Sequence, residues 1–413
     1  MPSKGVYNED QKSCTLKRTC ENHLEHISDI KCVNLNIHNK DNSKRSMSKQ
    51  KENKEKEVVL HLRNKNRRTK REIRKIQRSI NNNIDNEESD DEVIKKINES
   101  AIFKSEKIKL IRLIGKGGFS KIFLCLTEKK VGKKYAAKLF LRDKNSKKED
   151  FENYIKKEYY LQKTTRGKYV TNTCGLFHIL NQEDNSNGND CQWLMITELE
   201  LNGDLNHFKN KKLRLKTFNN NLIIYYGGQI VKSLEHLHSV KICHLDLKMN
   251  NIFINGNNDA KISDFSISVD YSKMSTYKLT GSGTHKFISP ETIKKEVLDT
   301  KDLHKVDFWS LGVILYYLSV GKYPYELNEV DTTSNEDLQK ILKNTLDFGT
   351  EHNLSISTKD FITRLLEKDY NKRISMEEVK NHDFMKNFSE ILNYNEYYGD
   401  KDKYIQNLIN EQI

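Results

Sequence analysis

The segment CHLDLKMNNIFIN (243–255) places Asp246, Lys248 and Asn251 within six residues of one another. A carboxylate there suits removal of a hydroxyl proton, an ammonium suits a moving phosphoryl group, and an amide oxygen suits a magnesium ion. Thirteen residues after Asn251, Asp264 heads the triplet Asp264-Phe265-Ser266 behind the segment KIS and offers magnesium a second oxygen. Upstream, Lys138 stands inside an apolar strand pattern, where a buried lysine needs a counter-charge. Glu158, on the helical stretch that follows, is the candidate. Twenty-one residues before Lys138, Gly117 belongs to the turn Gly115-Lys-Gly117-Gly-Phe-Ser120, whose backbone N–H groups can approach phosphate oxygens. Taken singly, each feature has a plainer reading as a turn glycine or a solvated charge. No helix follows the glycines, which argues against a dinucleotide fold. Together the groups suit phosphoryl transfer.

The elements that must hold these groups can be read as patterns. IKLIRLIG (108–115), KIFLCLT (121–127) and KKYAAKLF (133–140) read as strands at hairpin spacing. EDFENYIKKEYYLQKT (149–164) reads as a helix, and GLFHIL (175–180) and QWLMITEL (192–199) as two more strands joined by the polar turn 181–190. From about residue 204 the pattern turns helical, at 222–239, 305–321, 358–369 and 375–385.

In this order the residues resemble the eukaryotic protein kinase superfamily, on its serine/threonine branch, over about 280 residues. Later landmarks agree: Gly283-Thr284 through Ser289-Pro290-Glu291, Asp307-Phe-Trp309-Ser-Leu-Gly312, Gly321-Lys-Tyr-Pro324, and Arg373 as the expected partner of Glu291. The resemblance implies an α+β, two-lobed protein kinase fold. A small five-stranded β lobe with one αC helix (106–200) would precede a larger helical lobe (201–386). A disordered extension (1–105) would come before the domain and a tail (387–413) after it. It implies ATP and Mg²⁺ as cofactors and Ser/Thr hydroxyls of proteins as acceptors. Gly115, Gly117 and Ser120 would cover the phosphates, with Lys138 paired to Glu158 positioning them. Ile122, Ala136 and Phe253 would sandwich the adenine, Thr197 would be the gatekeeper, Glu198 to Glu200 would bond the base, and Asp204 would meet the ribose and, in basophilic kinases, a substrate arginine. Asp246 would be the base, Lys248 would stabilise charge, and Asn251 and Asp264 would hold Mg²⁺. Lys248 and Thr284 carry the serine/threonine assignment.

Four positions depart from the family pattern. Ser120 replaces the third loop glycine, and Leu245 replaces the arginine that grips an activation-loop phosphate. Ser266 replaces the glycine of DFG, and Gln162 stands where an apolar residue usually packs on the DFG phenylalanine. With Leu245 in place, loop phosphorylation is not expected to be the main switch, although Ser275, Thr276, Thr280 and Ser282 remain acceptors. Asn250 stands where basophilic kinases often have Glu, which weakens a preference for basic Ser/Thr sites. The rival reading, a pseudokinase or scaffold acting by binding, would be expected to lose Lys138, Asp246 or Asp264; all three are present.

Composition narrows the rest. Of 413 residues 36% are hydrophobic and 31% charged, polar enough to suggest a globular part with a disordered one. No apolar run is long enough for a transmembrane helix, and a signal peptide is not evident, so a cytoplasmic setting is expected. The seven scattered cysteines form no C-x-x-C pair and read as free thiols, Cys243 as a buried one. The net charge of +13 is spread along the chain apart from RNKNRRTKREIRKIQR (63–78). That block reads as a solvated arm, with nuclear localisation or nucleic-acid binding as the alternative. Ile73, Ile76 and Ile80 predict a helix over 67–80, and the acidic run 85–92 fails the EF-hand pattern. KVDFWSLGVILYYLSVGKYPY is loosely similar to the calcium/calmodulin-dependent group. The tail, however, has five acids against Lys401 and Lys403, so no calmodulin site is evident. The tail either packs on the domain or hangs loose.

Overall fold

A computed structural model describes residues 30–35, 89–128, 133–143, 146–181, 191–327, 334–349, 353–398 and 407. The basic block 63–78, the helix expected over 67–80 and the turn 182–190 lie outside the described residues. Strand β1 (Ile30–Leu35) comes first, then helices α1 (Asp90–Glu99) and α2 (Ala101–Glu106). Next are β2 (Ile108–Lys116), β3 (Ser120–Thr127), β4 (Lys134–Phe140), α3 (Lys148–Thr164), β5 (Thr173–Asn181) and β6 (Cys191–Glu198).

The five expected strands form one antiparallel sheet in the order β5-β6-β4-β3-β2, and β1 adds to the β5 edge in parallel. One face packs on α3 through Phe140, Ile155, Tyr159, Leu176, Trp193 and Met195. Val93, Ile97, Ile102 and Phe103 from α1 and α2 cover Leu110, Phe123 and Cys125. The described structure leading into the domain therefore includes residues 89–106, part of the extension expected to be disordered up to 105. Two short helices give too few periodic positions to stand out from a polar extension, and only the sheet supplies the surface that makes their burial favourable. The strand β1 is likewise absent from the sequence reading; an edge with unpaired peptide groups is what selects it.

The second lobe is helical. Helix α4 (Asn220–Ser239) is followed by the hairpin β7 (Ile252–Ile254) and β8 (Ala260–Ile262) and by the ribbon β9 (Thr276–Lys278) with β10 (Val297–Asp299). Helices α5 (His304–Val320), α6 (Asn335–Lys343), α7 (Ile356–Leu365), α8 (Met376–Asn381) and α9 (Asp383–Tyr398) complete it. Helix α5 is buried nearly all round, which explains its apolar sequence, and it ends at Gly321 in the left-handed region. The single helix expected at 375–385 breaks at His382. That residue is extended, its Nδ1 accepts the Phe384 N–H, and its Nε2 meets Asp360. The start of the tail packs back: Phe388 is fully buried against α4, where Gly228 leaves room for its ring.

Candidate active site

Between the lobes lies a cleft of about 380 Å³, lined by Gly115, Gly117, Ser120, Ile122, Ala136, Lys138, Glu158, Thr197, Glu198, Glu200, Asn251, Phe253 and Asp264. These are the residues the sequence selected for nucleotide and metal, brought from both lobes to one place. Asp204 is not part of this lining. Its Oδ1 caps the turn Leu205–His207 by accepting the His207 N–H at 2.9 Å, and Asn250 Nδ2 lies 3.5 Å from the same oxygen. Met195, Thr171 and Gln162 line the cleft without having been assigned to it.

At the back of the cleft Lys138 Nζ lies 2.5 Å from Glu158 Oε1 and 3.1 Å from Asp264 Oδ1. Burial alone would lower the Lys138 pKa, but the two carboxylates outweigh it and hold the ammonium above its ordinary value. Burial also raises Asp264, and there Lys138 wins and keeps the carboxyl below its usual range. For Glu158 burial dominates and pushes the carboxyl up, in keeping with an Oε2 that has no hydrogen-bond partner. The cluster is thus a buried ammonium between two carboxylates, one on each lobe. Gln162, fully buried one turn after Glu158, spends its Nε2 on the Thr171 carbonyl at 2.9 Å. The segment leading into β5 thus supplies an acceptor for the amide N–H, while Gln162 Oε1 is buried without a hydrogen-bond partner. Phe265 is fully buried against the His244 ring, and Asp264 holds a φ of 69°.

At the front, Asp246 Oδ1 accepts from the Thr284 N–H at 2.9 Å and its hydroxyl at 2.7 Å. Lys248 Nζ bridges Asp246 Oδ2 and Thr284 Oγ1, both at 2.8 Å. Asn251 Nδ2 donates to the Asp246 carbonyl at 2.9 Å, which leaves its Oδ1 as the end available to a cation. An amide oxygen and the Asp264 carboxylate lining the same cleft form a hard-oxygen donor set that fits a divalent ion such as Mg²⁺. The carboxylates of Glu198 and Glu200 turn to Lys261, at 2.9 and 3.3 Å. Any recognition by that segment therefore falls to its backbone.

The loop carrying Asp246 rests on Asp307, whose role the sequence left unassigned. Its Oδ1 accepts the Leu245 N–H at 2.8 Å; its Oδ2 accepts His244 N–H at 2.9 Å, His238 Nε2 at 2.8 Å and the Cys243 thiol at 3.2 Å. Burial would raise its pKa, but these donors, led by His238, hold it at about 2. Cys243 is fully buried and its thiol is pushed well up, so it is inert packing. Leu245 takes a φ of 66°. Downstream, Arg373 forms a bidentate pair with Glu291 at 2.6 and 2.9 Å, as expected from the sequence.

Residues 108–385 match the protein kinase domain family. An Aurora kinase of Debaryomyces hansenii is 32% identical over 277 residues, 67% of this chain and 61% of that protein. An Aurora kinase of Eremothecium gossypii is 32% identical over 271 residues, 66% of this chain and 67% of that protein. The serine/threonine-protein kinase PLK4 of Drosophila virilis is 31% identical over 191 residues, 46% of this chain and 23% of that protein. The match therefore spans less than two thirds of the Debaryomyces relative's length, and the calcium/calmodulin likeness is a loose one.

Proposed function

The chain belongs to the protein kinase domain family, and from that premise we propose that it transfers the γ-phosphate of Mg-ATP to serine or threonine hydroxyls of proteins. The observation that carries the reading is the convergence of two charge networks in one cleft, Lys138–Glu158–Asp264 behind and Asp246–Lys248–Thr284 in front. In this reading Gly115, Gly117 and Ser120 cover the phosphates and Lys138 orients them. Thr284 and Asn251 hold the Asp246 carboxylate where an acceptor hydroxyl would arrive, so that it takes the proton as the hydroxyl attacks. Lys248 faces the charge that develops on the transferred group. Asn251 and Asp264 would hold Mg²⁺, which supplies charge neutralisation on the phosphates.

Activation is proposed to be independent of an arginine-gripped phosphate. Leu245 has no charge to grip with, and the segment is supported instead by the β9–β10 ribbon, Thr276 to Lys278 against Asp299 to Val297. Asp204 is partly spent on capping, so it supports at most a modest preference for basic substrates. Among the described residues no helix is long and apolar enough to cross a membrane. A cytoplasmic setting, with 63–78 as a candidate nuclear signal, belongs to the same proposal.

The test is incorporation of labelled γ-phosphate from Mg-ATP into a basic Ser/Thr-containing protein, wild type beside Asp246→Asn. Loss of the general base should cost about 10²- to 10⁴-fold in kcat. Equal incorporation by both proteins would remove Asp246 from the catalytic role.

A further inference from the structure

We infer that α1 and α2, which precede the residues the family shares, position the glycine-rich hairpin, and that Asp90 and Asn98 set ATP affinity through it. The inference rests on the ATP reading above. The hairpin formed by β2 and β3 has a tip with open side chains: Phe119 is 69% exposed, and nothing lies within 4 Å of where a Gly118 side chain would begin, while the Phe119 carbonyl accepts the Leu141 N–H at 2.9 Å. Apart from that one bond, the position of the tip follows from its base.

Both strands of that base are gripped by α1. Strand β2 is the edge of the sheet, so its outer peptide groups lack a neighbouring strand. Asn98 takes that place. Its Oδ1 accepts the Leu110 N–H at 2.7 Å and its Nδ2 donates to the Leu110 carbonyl at 2.9 Å, as a paired peptide would. The contact falls where the β2–β3 ladder shifts register, between Leu110 and Arg112, five residues before Gly115. On the other strand, Lys121 directly follows Ser120 and faces Lys116 across the hairpin. It is only 7% exposed, and its Nζ lies 2.7 Å from Asp90 Oδ1.

The grip is itself rigid. Ser89 and Glu92 form a reciprocal cap at the start of α1. Buried Ser100 donates to the Ile97 carbonyl at 2.6 Å and accepts the Phe103 N–H at 3.3 Å, which locks α1 to α2. Val93, Ile97, Ile102 and Phe103 supply the burial that holds the pair on the sheet. Burial alone would stabilise the lobe. The two polar contacts do something else, because they land on the strand segments leading into Gly115 and out of Ser120.

The experiment uses the full chain, with Asp90→Asn, Asn98→Ala and the conservative Asp90→Glu. Mg-ATP affinity is measured by titration calorimetry, KM for ATP and kcat by acceptor phosphorylation, and Tm alongside. Asp90→Asn and Asn98→Ala should each weaken ATP about three- to tenfold, the scale of one partly exposed ion pair or one pair of hydrogen bonds. The loss should appear in KM, with kcat within about twofold of wild type, and Asp90→Glu should restore affinity. Unchanged ATP affinity with a lowered Tm would overturn the inference and leave the helices as mere stabilisers. A fall in kcat with KM unchanged would overturn it too. A wild-type protein that does not bind Mg-ATP would instead defeat the kinase reading, and the inference with it.

Discussion

Arg373→Met should unfold the larger lobe at markedly lower denaturant. The guanidinium is 1% exposed and makes four hydrogen bonds: two to the Glu291 carboxylate, one to the Lys305 carbonyl at 2.8 Å and one to the Glu367 carbonyl at 2.9 Å. It also lies 5.0 Å from the centre of the Trp309 ring. Removing one partner of a buried pair strands the other charge, at about 3–5 kcal/mol. The orphaned carbonyls add to that, so about 4–5 kcal/mol is expected for Arg373→Met. Glu291→Leu should cost about 3–4 kcal/mol, because the guanidinium keeps its two carbonyl acceptors. The double variant strands no charge and fills the space with apolar atoms. It should therefore be more stable than the sum of the single costs by about 3 kcal/mol. The assay is equilibrium denaturation followed by Trp309 fluorescence in a Trp193→Phe background, since these are the chain's only two tryptophans. A single-variant cost under about 1 kcal/mol, or a double variant equal to the sum of the singles, would refute the reasoning.

Gly228→Ala places a methyl inside the Phe388 ring position, so α9 must shift; a cost of about 1–3 kcal/mol in a melting experiment is expected. His304 titrates near 6.5 when unfolded and is pushed down to about 4 in the fold, first by burial and then by His238 and Lys305. Because its folded pKa is depressed, the unfolded chain takes up this proton first as pH falls. Stability from this site is therefore complete above about pH 6.5 and drains towards pH 4, by up to about 3 kcal/mol. His304→Gln should flatten the Tm profile across that window, and an unchanged slope would assign it to other groups. Asp307, held at about 2, should add a second loss below pH 4 that Asp307→Asn removes at the cost of lower stability throughout.

The sequence by itself determined the candidate site residues and most of the elements under them. Asp246, Lys248 and Asn251 lie on one short loop, so their mutual placement is local and spacing alone expresses it. The strands β2 to β6 and the helix α3 repeat their apolar residues over enough positions to be read without a partner. Even the pair Lys138–Glu158 could be named, because a charge in an apolar pattern demands an opposite one, and Glu291–Arg373 was implied by the kinase resemblance. Tertiary structure decided the rest. That Asp307 carries the backbone of His244 and Leu245 depends on α5 arriving beneath the loop, about sixty residues later in the chain. That Thr284 shares its hydroxyl with Asp246 and Lys248 depends on how the following segment folds back. Residues 89–106 show the limit most clearly. Two short helices in a polar stretch carry too little periodicity to announce themselves, and they become ordered because the open face and bare edge of a sheet offer burial and hydrogen bonds that no local sequence contains.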